Sequence, residues 1–310
     1  MEYDVVIIGG GPAGLTAAIY SARNAWKTAV FTGDVGGQLA ETPEIENYPG
    51  VKNIEGAKLA MEMEQQAKSF GAEVIFDKIT EIKKEDVLFV MKTEFGATVK
   101  AKAVIIAAGK HPREIGVKGE KEFKGKGVSY CVTCDGPFFK EKDVCVVGGG
   151  NSALTAAEYL AKICNKVYLI HRRTEFRAEK VLVDRIKSLE NVEIVVPYVP
   201  EEIRGKDRVE EIVVKHRETG ELKTLKVDAV FVEIGSIPNT DWLNGFVELN
   251  EKGEIIVDRE MKTSQEGVFA AGDITDNRDK QVVVAAGHGA TAALSANEYL
   301  NDLVRKGVFK

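Results

Sequence analysis

Cys131-Val132-Thr133-Cys134-Asp135-Gly136 sets two thiols one C-x-x-C spacing apart, with a carboxylate directly behind the second. That spacing lets two sulfurs close and reopen a disulfide, and a thiolate formed there can exchange with a disulfide elsewhere. The same pair could supply half of a structural zinc site, which needs four ligands and usually a second short pair. Cys145 and Cys164 do not form such a pair and read as small buried hydrophobes. No metal is assigned, and the redox reading is the stronger of the two. Asp135 is placed to move protons to and from the thiols, although its charge would oppose thiolate formation; its plain alternative is a turn residue before Gly136-Pro137. The four histidines include no i, i+4 ligand pair, and no G-x-S-x-G elbow is present, so neither metallohydrolase nor serine hydrolase chemistry has a motif.

Two glycine-rich turns accompany the cysteines. The segment running from Asp4 through Gly9-Gly10-Gly11-Pro12-Ala13-Gly14 to Tyr20 recurs from Asp143 through Gly148-Gly149-Gly150-Asn151-Ser152-Ala153 to Tyr159. Each copy is a short apolar run, a tight turn and an Ala-rich stretch, which reads as strand, turn and helix. Gly9 and Gly148 permit the sharp turn, Gly11 and Gly150 let a pyrophosphate approach the backbone, and Gly14 and Ala153 let helix pack on strand. The helix N-terminus then offers free N–H groups to an anion. One such motif is weak evidence, but two in matching context are strong.

The copies differ downstream. Lys166-Val167-Tyr168-Leu169-Ile170-His171 ends where an NAD site places an acid on the ribose, yet Arg172, Arg173 and Arg177 follow. Guanidinium groups match a 2′-phosphate, so this half reads as an NADPH site. The first copy has neither acid nor Arg cluster after Thr32-Gly33, and continues into Gly36-Gly37-Gln38-Leu39 and Glu46-Asn47-Tyr48-Pro49-Gly50.

A second repeated pattern places the elements. Ala103-Val104-Ile105-Ile106-Ala107-Ala108-Gly109 resembles the run from Val227 to Gly235, each a buried strand ending at glycine. The expected fold is α/β, with two Rossmann-like, three-layer dinucleotide-binding domains, the second inserted in the first. Residues 1–112 and 246–310 would form the outer domain and 113–245 the inserted one. Gly116 and Gly245 stand near the two expected crossings, where glycine suits a hinge. The strand at Val268 ends at Gly272-Asp273, and a helix is expected over 282–299.

The 310 residues suit two domains, and 44% hydrophobic with 29% charged composition excludes a disordered or disulfide-stapled chain. Net charge −6 gives no general attraction to nucleic acid or anionic lipid. The acidic Met1-Glu2-Tyr3-Asp4 start is unlike a signal peptide, and no apolar run approaches the ~20 residues of a membrane span. The expected location is cytoplasmic, without membrane or nucleic-acid partners.

Taken together, these motifs resemble the low-molecular-weight, bacterial-type thioredoxin reductases over essentially the whole chain. The elements carrying the resemblance are the Cys131 to Gly136 motif, His171 to Arg177, Gly36 to Leu39 and Ala271-Gly272-Asp273. It implies that the first unit binds FAD, with Gly9, Gly11, Pro12, Ala13 and Gly14 at the pyrophosphate. Thr32, Gly33, Gly36, Gly37, Gln38, Leu39 and Asn47 would line the site further on, and Ala108, Gly109, Gly272, Asp273, Gln281 and Val282 would close it. The second unit would hold NADPH through Gly148, Gly150, Asn151, Ser152, Ala153, His171, Arg172, Arg173 and Arg177. It further implies that Cys134 faces the flavin, that Cys131 attacks the partner disulfide and that Asp135 donates the proton. Rotation of the inserted domain would bring dithiol and nicotinamide to the flavin in turn.

The resemblance implies a separate partner, thioredoxin or a thioredoxin-like or glutaredoxin-like protein, with no thioredoxin-like extension expected on the chain itself, and a homodimer is expected. Thr155, Ala156 and Lys280 depart from the family pattern, in which acids and an arginine are common at those positions. The alternative activity is that of an NAD(P)H-dependent flavin oxidase or small-molecule reductase with incidental cysteines.

Overall fold

Apolar runs without polar alternation, such as Val5-Val6-Ile7-Ile8 and Val144-Cys145-Val146-Val147, need cover on both faces, which a parallel sheet between helices supplies. The computed structural model describes residues 1–42 and 44–308 and contains two such sheets, each in its own compact unit. The first unit opens with β1 (Glu2–Ile8), α1 (Pro12–Arg23), β2 (Thr28–Phe31), α2 (Gly56–Ser69), β3 (Glu73–Ile75), β4 (Ile79–Glu85), β5 (Leu88–Thr93) and β6 (Thr98–Ile106). Strand β7 (Lys110–Pro112) leads into the second unit. That unit comprises β8 (Val128–Ser129), α3 (Val132–Asp135), β9 (Asp143–Val147), α4 (Asn151–Ala161), β10 (Lys166–Ile170), α5 (Lys180–Ser188), β11 (Val192–Val195), β12 (Tyr198–Gly205), β13 (Val209–His216), β14 (Leu222–Lys226) and β15 (Ala229–Val232). Strand β16 (Ser236–Pro238) pairs with β7 and returns the chain, and β17 (Val268–Ala270) and α6 (Val282–Arg305) complete the first unit.

Both units follow one plan. The first sheet runs β3-β2-β1-β6 in parallel, and two segments share the far edge of β6: β17 beside Val104 and the antiparallel β4–β5 hairpin beside Ala101. The second runs β11-β10-β9-β15-β8, all parallel, with the antiparallel β12-β13-β14 sheet as counterpart of the hairpin. The repeat is therefore architectural: β1 and β9 are central, and α1 and α4 each begin directly after the third glycine of the turn. These are the two Rossmann-like α/β units expected.

Strand alternation splits the first unit's core. Val5, Ile7 and Ile105 face α1 and α6, while Val6, Ile8, Phe31 and Ile106 pack on the opposite side. Helices α1 and α6 approach closely because small residues line their contact: a Cβ on Gly289 would lie 2.1 Å from the Ala13 carbonyl. In the second unit, Leu154, Ala157 and Leu160 of α4 cover Val144, Val146 and Phe231.

The second crossing differs from expectation. The compact units are Met1–His111 with Ile237–Lys310, and Pro112–Ser236, so the return lies at 236/237 where the sequence reading put it at 245/246. Leu243 and Val247 are buried among Val104, Ile106 and Val268, which commits this segment to the first unit. Gly245 (φ +81°) serves a turn within that unit, not at the crossing. Among the described residues no helix is long and apolar enough to cross a membrane.

Candidate functional site

The dithiol lies at the edge of the second sheet, where β8 gives way to the single turn α3. Cys131 is still extended (φ −140°) and Cys134 lies inside the turn, which brings their Cα atoms to 5.3 Å and their sulfurs into a disulfide. Ser129, at the end of β8, accepts the Cys131 N–H at 3.1 Å and donates to Asp135 Oδ2 at 2.6 Å. The other carboxylate oxygen, Oδ1, is buried without a partner. Burial raises the Asp135 pKa above the ordinary carboxylate range, and the Ser129 hydrogen bond pulls against it. A carboxyl held nearer to neutrality is suited to give a proton to a thiolate and take it back. Cys145 and Cys164 are free, buried thiols. Burial and then Asp143 push the Cys164 thiol up to about 11, and burial raises Cys145 further. Among the described residues no group of three or more His, Cys, Asp or Glu is placed to hold a metal ion.

The glycine turn of the second unit has the shape a phosphate requires. A Cβ on Gly148 would lie 2.4 Å from the Glu233 carbonyl, whereas one on Gly150 would meet nothing within 4 Å. The first glycine is thus demanded by packing and the other faces open space. Asn151 and Ser152 are exposed at the start of α4, and Ala153 is buried beneath. Asn151 exchanges two hydrogen bonds with Glu179, at 3.1 and 2.8 Å, which ties the glycine turn to the start of α5. His171 is buried; its ring packs against Gly149 and stacks on Phe176 at 5.4 Å, so it supports the turn from below. Burial chiefly lowers its pKa.

Arg172, Arg173 and Arg177 are exposed around the same turn. Arg177 crowds Arg173 most, and Arg172 and Arg217 add to the repulsion, together lowering the Arg173 pKa. None of the four pairs with a carboxylate among the described residues, so the cluster is unneutralised. Arg217 escaped the sequence reading because it comes from the turn between β13 and β14, where its Nη1 donates to the Arg172 carbonyl at 3.2 Å.

The first unit repeats this division of labour. Gly9 (φ +116°) and Gly14 admit no side chain, their Cβ atoms falling 2.3 Å from the Ala107 carbonyl and 1.9 Å from the Gly9 carbonyl; Gly11 has only the Gly36 carbonyl, at 3.8 Å. Pro12 and Ala13 open α1. Thr32 Oγ1 accepts the Gly10 N–H at 3.0 Å, and the Gly36 N–H returns to the Gly10 carbonyl at 2.8 Å. Gly33 leaves room for Lys78, and Gly37 donates to Asp34 Oδ1 at 2.9 Å. Gln38 donates to the Lys110 carbonyl at 2.5 Å, and Leu39 is buried beside Leu15 and Ala286. Asn47 donates to Gln281 at 3.2 Å, next to Val282 at the start of α6.

Gly272 packs on Ala13, and the partly buried Asp273 has its pKa raised by burial against the pull of Lys110, Lys280 and His288. Two residues outside the expected cofactor contacts brace these loops. Asn239 takes the Ala108 carbonyl at 2.7 Å and the Gly109 carbonyl at 3.1 Å. Lys280 donates to the Thr275 and Asp273 carbonyls at 2.6 and 3.2 Å, which a point-like ammonium does without an arginine's fork. Thr32, Gly36, Ala108 and Gly272 thus meet the first glycine turn and the helix it opens, and His171 and Arg177 meet the second; both turns have room for a pyrophosphate, closed where packing demands glycine and open at Gly11 and Gly150.

A C-x-x-C disulfide in a chain with two such glycine turns narrows the families sharply, and the family model for pyridine nucleotide-disulphide oxidoreductases matches residues 3–289. The chain belongs to that family. FAD and NADPH are the cofactors that this membership implies. Among solved structures, the chain is similar to thioredoxin reductase from Streptococcus pyogenes (39% identity, TM-score 0.93) and from Giardia duodenalis (38%, 0.91), each alignment covering 97% of this chain and 99% of the other. It is 47% identical over 299 residues to a protein of Bacillus subtilis named NADH dehydrogenase and 43% identical to an alkyl hydroperoxide reductase component of Staphylococcus aureus. The chain is covered to 96% in both comparisons but spans only 58% and 59% of those two relatives.

Proposed function

We propose that the protein is a thioredoxin-disulfide reductase that passes electrons from NADPH through FAD to the Cys131–Cys134 disulfide, and from there to thioredoxin or a thioredoxin-like or glutaredoxin-like protein. The observation that carries this reading is a disulfide with a partly buried carboxyl behind it, in the same unit as a glycine turn fastened to an exposed arginine loop. FAD, when bound, supplies the two-electron relay between a nicotinamide hydride and a disulfide. The first unit's turn at Gly9, Gly11 and Gly14 would hold its pyrophosphate, and the second unit's turn at Gly148 and Gly150 that of NADPH.

The chain's own residues do the remainder. Arg172, Arg173 and Arg177 receive the 2′-phosphate, assisted by Arg217. Cys131 is the sulfur that attacks the partner disulfide, and Cys134 is the one that closes the ring again and releases the partner. Asp135 supplies a proton when the pair opens and accepts one when it closes. NADPH-dependent reduction of thioredoxin, measured with wild type and Cys131→Ser, tests the reading: activity in the first and none in the second is expected.

The relative named NADH dehydrogenase favours one second reading, a flavin oxidase that passes electrons to oxygen or a small acceptor. Comparing oxygen with thioredoxin as acceptor separates the two; a rate that is unchanged on adding thioredoxin would support the oxidase.

A further inference from the structure

The geometry points to Ser129 as a positioning residue for proton transfer at the dithiol: it fixes one oxygen of Asp135 and leaves the other to exchange protons with Cys134. The inference rests on the reductase reading above and extends it to a residue outside the C-x-x-C motif.

Ser129 is the last residue of β8, 5% exposed, and paired in register with Phe231 of β15. Its position is therefore set by the sheet, unlike those of the residues in the turn that follows. A hydroxyl has one proton and two lone pairs, and three groups of the turn reach it. The Cys131 N–H donates to it from 3.1 Å, Asp135 Oδ2 lies at 2.6 Å and the Cys131 carbonyl at 3.3 Å. With Asp135 ionised, the Ser129 proton points to Oδ2. With Asp135 protonated on Oδ1, that same bond persists and weakens. With the proton on Oδ2, the carboxyl donates and the Ser129 proton swings to the Cys131 carbonyl. Each protonation state thus finds a partner without moving the Asp135 backbone. Oδ1, buried and unpartnered, remains the oxygen free to serve sulfur.

The step served is the closing of the pair. Cys134 S–H gives its proton to Asp135 Oδ1; the sulfur's electron pair forms the Cys131–Cys134 bond; the bond between Cys131 and the partner's sulfur breaks. That sulfur leaves with the bond's electron pair and takes a proton from water. The dithiol is oxidised by two electrons and the partner disulfide reduced by two. Burial and Ser129 are the two influences on the Asp135 carboxyl. From α4, which packs on α3, Tyr159 lies against Gly136, and Glu158 turns to Arg185 at 3.8 Å. From the turn after α3, Lys140 reaches Glu141 at 3.8 Å.

Ser129→Ala removes the hydroxyl, and Ser129→Thr keeps it in a β-branched side chain suited to a strand. In Ser129→Ala the alkaline-rising limb of thioredoxin reduction should move to higher pH, with about tenfold lower kcat below the limb. Ser129→Thr should restore both, and the single-turnover bleaching of flavin by NADPH should be unchanged in each. A loss equal at every pH would show that Ser129 only supports the turn and would overturn the proposal. The Asp135 carboxyl is also titrated directly, by infrared difference spectroscopy with Asp135→Asn as reference, in wild type and Ser129→Ala. An unchanged Asp135 titration overturns the Ser129 role whether or not thioredoxin is the acceptor, whereas a shifted titration in a protein that does not reduce thioredoxin leaves the Ser129 role standing and removes the reductase reading.

Discussion

The backbone N–H of Arg177 donates to the carbonyl of Gly149 across 2.9 Å, so the arginine loop and the glycine turn of the second unit are fastened to one another. The groups suited to a 2′-phosphate and to a pyrophosphate therefore keep a fixed relation. Because Asn151 and Glu179 fasten the other end of the same loop, the cluster is held despite its mutual repulsion.

Replacing Arg172 and Arg173 together by Ala should raise KM for NADPH about 10- to 100-fold, as expected for losing one or two charge-assisted hydrogen bonds, and should alter KM for NADH less than about threefold. Steady-state kinetics with both nucleotides check this. Equal losses would place the 2′-phosphate elsewhere.

The glycines divide into two testable kinds. Gly14→Ala forces a Cβ to within 1.9 Å of the Gly9 carbonyl and should lower the yield of folded protein. A Cβ at Gly11 or Gly150 meets no atom closer than 3.8 Å and both positions lie at extended backbone angles, so Gly11→Val and Gly150→Val should both fold. Gly11→Val should emerge without flavin, and Gly150→Val should be yellow but unresponsive to NADPH. Circular dichroism with flavin absorbance separates these outcomes.

Cysteine accessibility should track redox state. Iodoacetamide at about pH 8 should leave the oxidised native protein unlabelled, because Cys131 and Cys134 are bonded and the other two thiols are buried with raised pKa values. After reduction, mass spectrometry should find label on Cys131 and Cys134 alone. Label on Cys164 in the native state would contradict the burial described.

Asp135 also links stability to pH. Its folded pKa lies above the unfolded value, so its contribution is fully present below the unfolded pKa, about 3.9, and is lost as pH rises through the folded one. Thermal melts of wild type should therefore fall relative to those of Asp135→Asn as pH rises from about 4 towards neutrality. Parallel curves would contradict a raised pKa.

Much of this was legible in the sequence because the signals are local. The glycine turns, the C-x-x-C pair and the arginine run each occupy a few consecutive residues, and the recurrence of one pattern exposes the duplicated architecture. What escaped is non-local. Arg217 joins Arg172 only when β13 and β14 fold back, Asn239 finds Ala108 and Gly109 from far along the chain, and Ser129 meets Asp135 through a turn that composition does not announce. The second crossing lies earlier than expected because the burial of Leu243 and Val247, invisible in sequence, assigns that segment to the first unit.

An anaerobic titration followed by visible absorbance tests the electron path most directly. NADPH should bleach the flavin of the purified protein, oxidised thioredoxin should then restore the colour, and Cys131→Ser should bleach but fail to recover. A protein that takes up no flavin, or whose colour thioredoxin restores equally well without Cys131, would contradict the account.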